Sequence, residues 1–130
     1  MADVAEQQAD ELTVEQRIAA APLTFDYWIV PSIDFRTTVT GANRDQATVQ
    51  IFYVNTPMYS TTLTPMSPDA SIPTIQAGDF TITDGGLHLT VPTPTTSGSV
   101  ALSCTLTRKG QQPVIVGGLP IANWPLSSTS

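Results

Sequence analysis

From Leu23 onward the chain is written in alternation, with apolar side chains at every second position between clusters of Pro, Gly, Thr and Ser. Successive side chains of an extended strand point to opposite faces, so a period of two commits this backbone to strands that bury one face. In "LTFDYWIV", Leu23, Phe25, Tyr27 and Ile29 point one way, while Thr24, Asp26, Trp28 and Val30 point the other. "IDFRTTVT" sets Ile33, Phe35, Thr37 and Val39 against Asp34, Arg36, Thr38 and Thr40. "GANRD" reads as a turn. "ATVQIFYV" then returns apolar on both faces, with Val49, Ile51 and Tyr53 opposed to Phe52 and Val54. Such a strand is central and covered twice. One cover is the core; the other is expected to be the N-terminal helix or a second subunit, with the subunit favoured.

Residues 55–78 hold Pro57, Pro65, Pro68 and Pro73 and read as an edge strand over 58–63 followed by a long loop. A connection of that length in a compact domain is expected to be functional or held by a partner. "DFTITDGGLHLTV" reads as a hairpin turning at Asp84-Gly85, which places Phe80, Ile82, Leu87 and Leu89 on one face and His88 outside, opposite Thr81. After the connector "PTPTTSGS" come the strands "VALSCTLTRKG" and "PVIVGGLPIANWPL", with "GGLP" at Gly117–Pro120 read as a turn or bulge. The expected fold is all-β, an antiparallel β-sandwich of Ig-like or jelly-roll type, with seven or eight strands spaced by roughly 8–12 residues.

The sandwich is assigned to residues 22–130 as one domain, since 130 residues supply a single core. Residues 1–21 precede it as an acidic arm. There "TVEQ" fits a capping box in which Thr13 accepts from the Gln16 amide, starting a short helix from Val14 to Ala20 that Pro22 stops. Val4, Gln7, Glu11, Val14 and Ile18 fall at heptad positions, but the polar pair among them argues against a coiled coil. A helix this short is marginal alone in water and is expected to need docking on its own sheet or on a neighbour.

Charged residues are only 12% of the chain, about half the usual quarter, so the outer faces must be hydroxyl-rich or covered. The net charge is −6, Lys109 is the one lysine, and Arg17, Arg36, Arg44 and Arg108 are scattered. Phosphate backbones and anionic membranes need clustered cations, so neither nucleic acid nor a membrane is expected as a partner. The N-terminus lacks the apolar core of a signal peptide, and no N-x-[ST] sequon occurs. Cys104 has no partner for an intrachain disulfide. The expected setting is a chain made in the cytoplasm without a signal peptide and carried into a virion.

Chemistry-bearing motifs are sparse. His88 and Cys104 alternate to opposite sides of their sheet, so a Cys–His nucleophile pair is not expected. No G-x-S-x-G elbow accompanies the serines. A zinc site wants about four ligands, against one Cys and one His here. Asp79 and Asp84 are close enough in sequence to suggest a shallow Ca²⁺ site, but no D-x-D-x-D-G loop exists, and aspartate at turns is commonly structural. No catalytic residue, metal or cofactor is therefore expected.

What remains is a set of surface candidates: Trp28, Tyr59, Asp26, Asn123 and Trp124. Aromatic rings outside the main apolar stripe serve as interface anchors or as platforms for sugar rings. The leading expectation is a non-enzymatic, homo-oligomeric structural protein: a capsid decoration, minor capsid or tail component held to protein subunits by its terminal arms. The alternative is a lectin-like module that binds a glycan through the same aromatics.

Overall fold

A computed structural model describes residues 22–126, which form nine strands and no helix. The arm 1–21, with its expected helix, lies outside the described residues. The strands are β1 (Leu23–Val30), β2 (Ile33–Thr40), β3 (Gln46–Tyr53), β4 (Thr56–Leu63), β5 (Asp69–Ile72), β6 (Ile75–Ala77), β7 (Phe80–Thr90), β8 (Gly98–Arg108) and β9 (Val114–Trp124). β1 to β4 make one antiparallel sheet in chain order. The second sheet runs β5-β7-β8-β9, with β6 also paired to β7. The arrangement is sandwich-like, but its order is neither Ig-like nor jelly-roll. Those folds interleave strands by Greek-key crossovers. Here short turns join neighbours in sequence, and each sheet is a meander.

Alternation decides which face is inside. Ile33, Phe35, Val39, Val49 and Ile51 of the first sheet and Ile82, Leu87, Leu89, Val100 and Leu102 of the second are all buried in one cluster. Cys104 joins it, as expected. Trp124 does too: at 1% exposure it stacks on Phe25, ring centroids 6.1 Å apart, and its indole N–H donates to the Arg44 carbonyl at 3.0 Å. Gly98 faces that indole so closely that any Cβ would collide with it. Arg44 is buried over the same edge of the core, with Nη1 donating to the Pro125 carbonyl at 3.2 Å. Its Nε and Nη2 have no hydrogen-bond partner.

Two sequence expectations need correcting. Residues 79–91 are not a hairpin. β7 runs straight through Asp84-Gly85, and these two residues together oppose Cys104 of β8 as a bulge. Only Asp84 takes a left-handed φ (+52°), whereas a reversing two-residue turn of that type needs both central residues there. The bulge restores the phase of the strand, so Ile82 and Leu87 both face inward across an odd separation. The presumed loop after 63 also contains β5 and β6, which lie end to end along β7 around Pro73.

The turns collect at two ends. At the lower end lie Pro31–Ser32, Val54–Asn55, Gly78–Asp79 and the β8–β9 connection. There the Val54 amide donates to Ser32 O at 3.0 Å, and the Tyr53 ring abuts Gly78 from the other sheet. At the upper end lie Gly41–Asp45, residues 64–68, residues 91–97 and Pro125.

Candidate functional site

The described structure leaves six large apolar side chains exposed, and five of them stand at or near the lower end: Trp28, Val54, Met58, Val114 and Ile115. Met66, in the upper loop, is the sixth. The strand pattern places them near the lower strand ends, Trp28 on the outer face of the first sheet and Ile115 on that of the second. Trp28 is an outward position two residues before the end of β1, Val54 lies in the β3–β4 turn, and Met58 follows it near the start of β4. Val114 and Ile115 begin β9, where Ile115 pairs with Thr105 on the outer face and Val114 pairs with Leu106 on the inner one. Ile115 is 82% exposed and Val54 62%.

Between the sheets at this end the core opens into a groove of about 280 Å³ lined by Val30, Pro31, Phe80, Leu106, Arg108 and Val114, among others. The Arg108 guanidinium lies 5.7 Å from the Phe80 ring centre, within cation–π range. Lys109 follows it, and its amide donates to Asp79 O at 2.7 Å. The groove border thus carries two cations, Arg108 and Lys109, with the Asp79 carboxylate beside them, while Asp34 stands level with Trp28 on the first sheet. Elsewhere the described cations are committed: Arg44 is buried and Arg36 is in an ion pair.

Above this end, the outer face of the first sheet carries a charged cluster. Trp28 pairs with Asp34, Asp34 with Phe52, and Asp26 with Arg36. Arg36 Nε donates to Asp26 Oδ1 at 2.9 Å, and its guanidinium lies 4.8 Å from the Phe52 ring centre. Part of the second cover expected over β3 therefore comes from this chain itself. Asp34 is only 1% exposed although it points outward, flanked in register by Trp28 and Phe52, and its Oδ1 has no partner. Desolvation, then a hydrogen bond shared with Asp26 and the charge of Asp26, push its carboxyl up to about 6. Asp26 is held below the usual carboxylate range by its hydrogen bonds to Asp34 and then Arg36. The two acids can share one proton, with Asp34 the site that keeps it.

Of the surface candidates, Trp28 and Asp26 share this face. Tyr59 does not: it points inward opposite Ile51, and its hydroxyl donates to Ser71 O at 3.1 Å, tying β4 to β5. Asn123 is exposed on the other sheet, opposite Ser99. Trp124 is core and cannot anchor a partner. Sequence reasoning missed Asp34, because outward polar positions are normally wet, and it missed the convergence of apolar residues at the strand ends, which needs the topology.

His88 is outside, as alternation requires, but it is not simply among hydroxyls. Its Nδ1–H donates to Asp69 Oδ1 at 2.7 Å, across the β5–β7 pair. The pair borders a shallow trough of about 470 Å³ floored by Gly86, Ala101, Ser103 and Gly118. Ser103 Oγ accepts from the Gly118 amide at 3.0 Å, so the seryl oxygen is engaged by backbone. Cys104 lies on the far side of the same sheet, and burial pushes its thiol pKa up. Among the described residues no group of three or more His, Cys, Asp or Glu is placed to hold a metal ion, and no helix is long and apolar enough to cross a membrane.

The fold and this surface define an all-β, two-sheet protein with an apolar, weakly basic end. No family model matches the chain, and no curated protein or solved structure matches it either.

Proposed function

We propose that this chain is a non-enzymatic structural subunit that works in several copies, joined to its neighbours through the lower end. The supporting observation is the exposure of Trp28, Val54, Met58, Val114 and Ile115 at or near one end of the strands, where Val114 borders an open groove. Scattered single hydrophobics are ordinary on a soluble protein; several at one end, around a gap in the core, mark a contact surface. Arg108 and Lys109 at its border supply charge that selects an acidic partner and speeds encounter. A virion decoration, minor capsid or tail component, as expected from the sequence, is one assembly of this kind. Sedimentation velocity across a concentration series checks the reading: association is expected in the wild type, weakened at least about tenfold by Ile115→Asp, a change worth roughly 1.4 kcal/mol or more. A wild type that stays monomeric at every concentration sinks it.

A second reading rests on Trp28, which is 53% exposed beside Asp26 and Arg36. A flat ring next to a charged hydrogen-bonding pair suits a sugar face, and binding is expected to quench tryptophan fluorescence. Because Trp124 is buried, the change reports on Trp28. Unchanged emission across a broad glycan panel removes this reading.

A further inference from the structure

The described fold shows where residues 1–21 must leave it. β1 starts at Leu23, paired with Val39 next to the Gly41–Asp45 turn, so the arm joins the fold at the upper end. The apolar groove is at the lower end, a strand of eight residues away, or about 26 Å at roughly 3.3 Å per residue. Residues 1–21 contain Asp3, Glu6, Asp10, Glu11 and Glu15 against the single cation Arg17, so they hold much of the chain's net charge of −6. They also contain the branched apolar residues Leu12, Val14 and Ile18.

We infer that the lower end receives residues 1–21 of a second copy of this chain. The inference rests on the assembly role proposed above and names its partner. The chemistry matches on both counts. The groove has room for branched aliphatic side chains between Phe80, Leu106 and Val114, and Arg108 and Lys109 meet the carboxylates of the arm. The arm leaves from the end opposite the groove, so reaching it within one chain requires a reversal down the length of β1 that a second copy placed end to end does not. Donor and acceptor surfaces at opposite ends of one molecule make a head-to-tail contact, which repeats into a ring if its rotation closes and a filament if it does not.

Two full-length double variants test it. The arm variant carries Val14→Asp and Ile18→Asp; the end variant carries Arg108→Glu and Ile115→Asp, both at exposed positions. Circular dichroism first establishes that both are folded. In sedimentation velocity each alone is expected to be monomeric under conditions where the wild type assembles, with association weakened at least about tenfold. Mixed one to one, they are expected to form a heterodimer that grows no further, because each supplies the half the other lacks. If the end variant fails to assemble while the arm variant assembles normally, the lower end is a contact but the arm is not its occupant, and the inference falls alone. A mixture that stays monomeric overturns it as well, since docking within one chain then explains the data. A monomeric wild type overturns this inference together with the assembly role. Should either double variant unfold, a charge exchange replaces it: Glu11→Lys with Glu15→Lys, and Arg108→Glu with Lys109→Glu. Each is expected to weaken assembly, and the two combined in one chain to restore it. No restoration, with all forms folded, overturns the pairing.

Discussion

At the scale of single residues, Asp34 is the most consequential group. Its carboxyl titrates near 6 in the folded protein against an ordinary 3.8, so the folded state holds the proton more tightly than the unfolded chain. The resulting stabilisation is fully present below about pH 4 and is lost as the pH rises toward 6. The shift is worth at most about 3 kcal/mol. Asp26, shifted the other way, acts in a separate window below its ordinary value, where acidification removes its contribution. Asp34→Asn is expected to raise the melting temperature at neutral pH and to flatten its dependence between pH 4 and 6, because the neutral amide removes a buried, incompletely bonded charge. Thermal melts followed by circular dichroism across that range provide the check. His88 and Asp69 contrast with this pair: both are largely exposed, so Asp69→Asn is expected to change unfolding free energy by less than about 1 kcal/mol in urea titrations.

At the scale of elements, the β3–β4 hairpin departs from ordinary turn chemistry. Val54 and Asn55 both adopt left-handed backbone, φ +47° and +64°, where Asn-Gly is the usual solution. A β-branched residue pays about 1–2 kcal/mol in that region. Val54 is nevertheless exposed at the lower end, where it adds to the apolar surface. Val54→Asn is therefore expected to raise stability by roughly 1 kcal/mol while weakening assembly, a trade measurable by pairing melts with sedimentation. The hairpin also marks what the sequence made legible. Strict alternation was enough to assign the inner faces of β1, β2, β3 and β8. It failed at Asp84-Gly85, where turn-forming residues instead make a bulge in a continuing strand, and at Pro73, which interrupts an edge without ending the sheet. Trp124, read as lying outside any long strand, instead ends β9, where extra residues opposite Ser103 and between Val100 and Ala101 shift the phase of the strand.

At the scale of the whole molecule, the two ends of the strands differ. The upper end carries a buried Arg44 under Pro125 and the start of the fold; the lower end carries an open groove and two cations. If acidic segments meet those cations, assembly should weaken as salt rises from low to physiological levels, since the Debye length falls to about 8 Å there. Sedimentation in graded NaCl checks this, and association that strengthens with salt instead would point to apolar contact alone. None of this polarity is legible in a linear reading. Trp28, Val54, Met58, Val114 and Ile115 span most of the chain, and their shared placement near the lower strand ends emerges only once the strand order is known.

The distorted last strand has one more consequence. Beyond Val116, the double glycine with Gly118 at φ +60° bends the margin of the second sheet, and Pro120 withholds an amide. A flanking chain seeking to zip alongside would find the backbone aimed astray and one proton short. At this edge, sideways merging of two molecules into a continuous ribbon is thereby hindered.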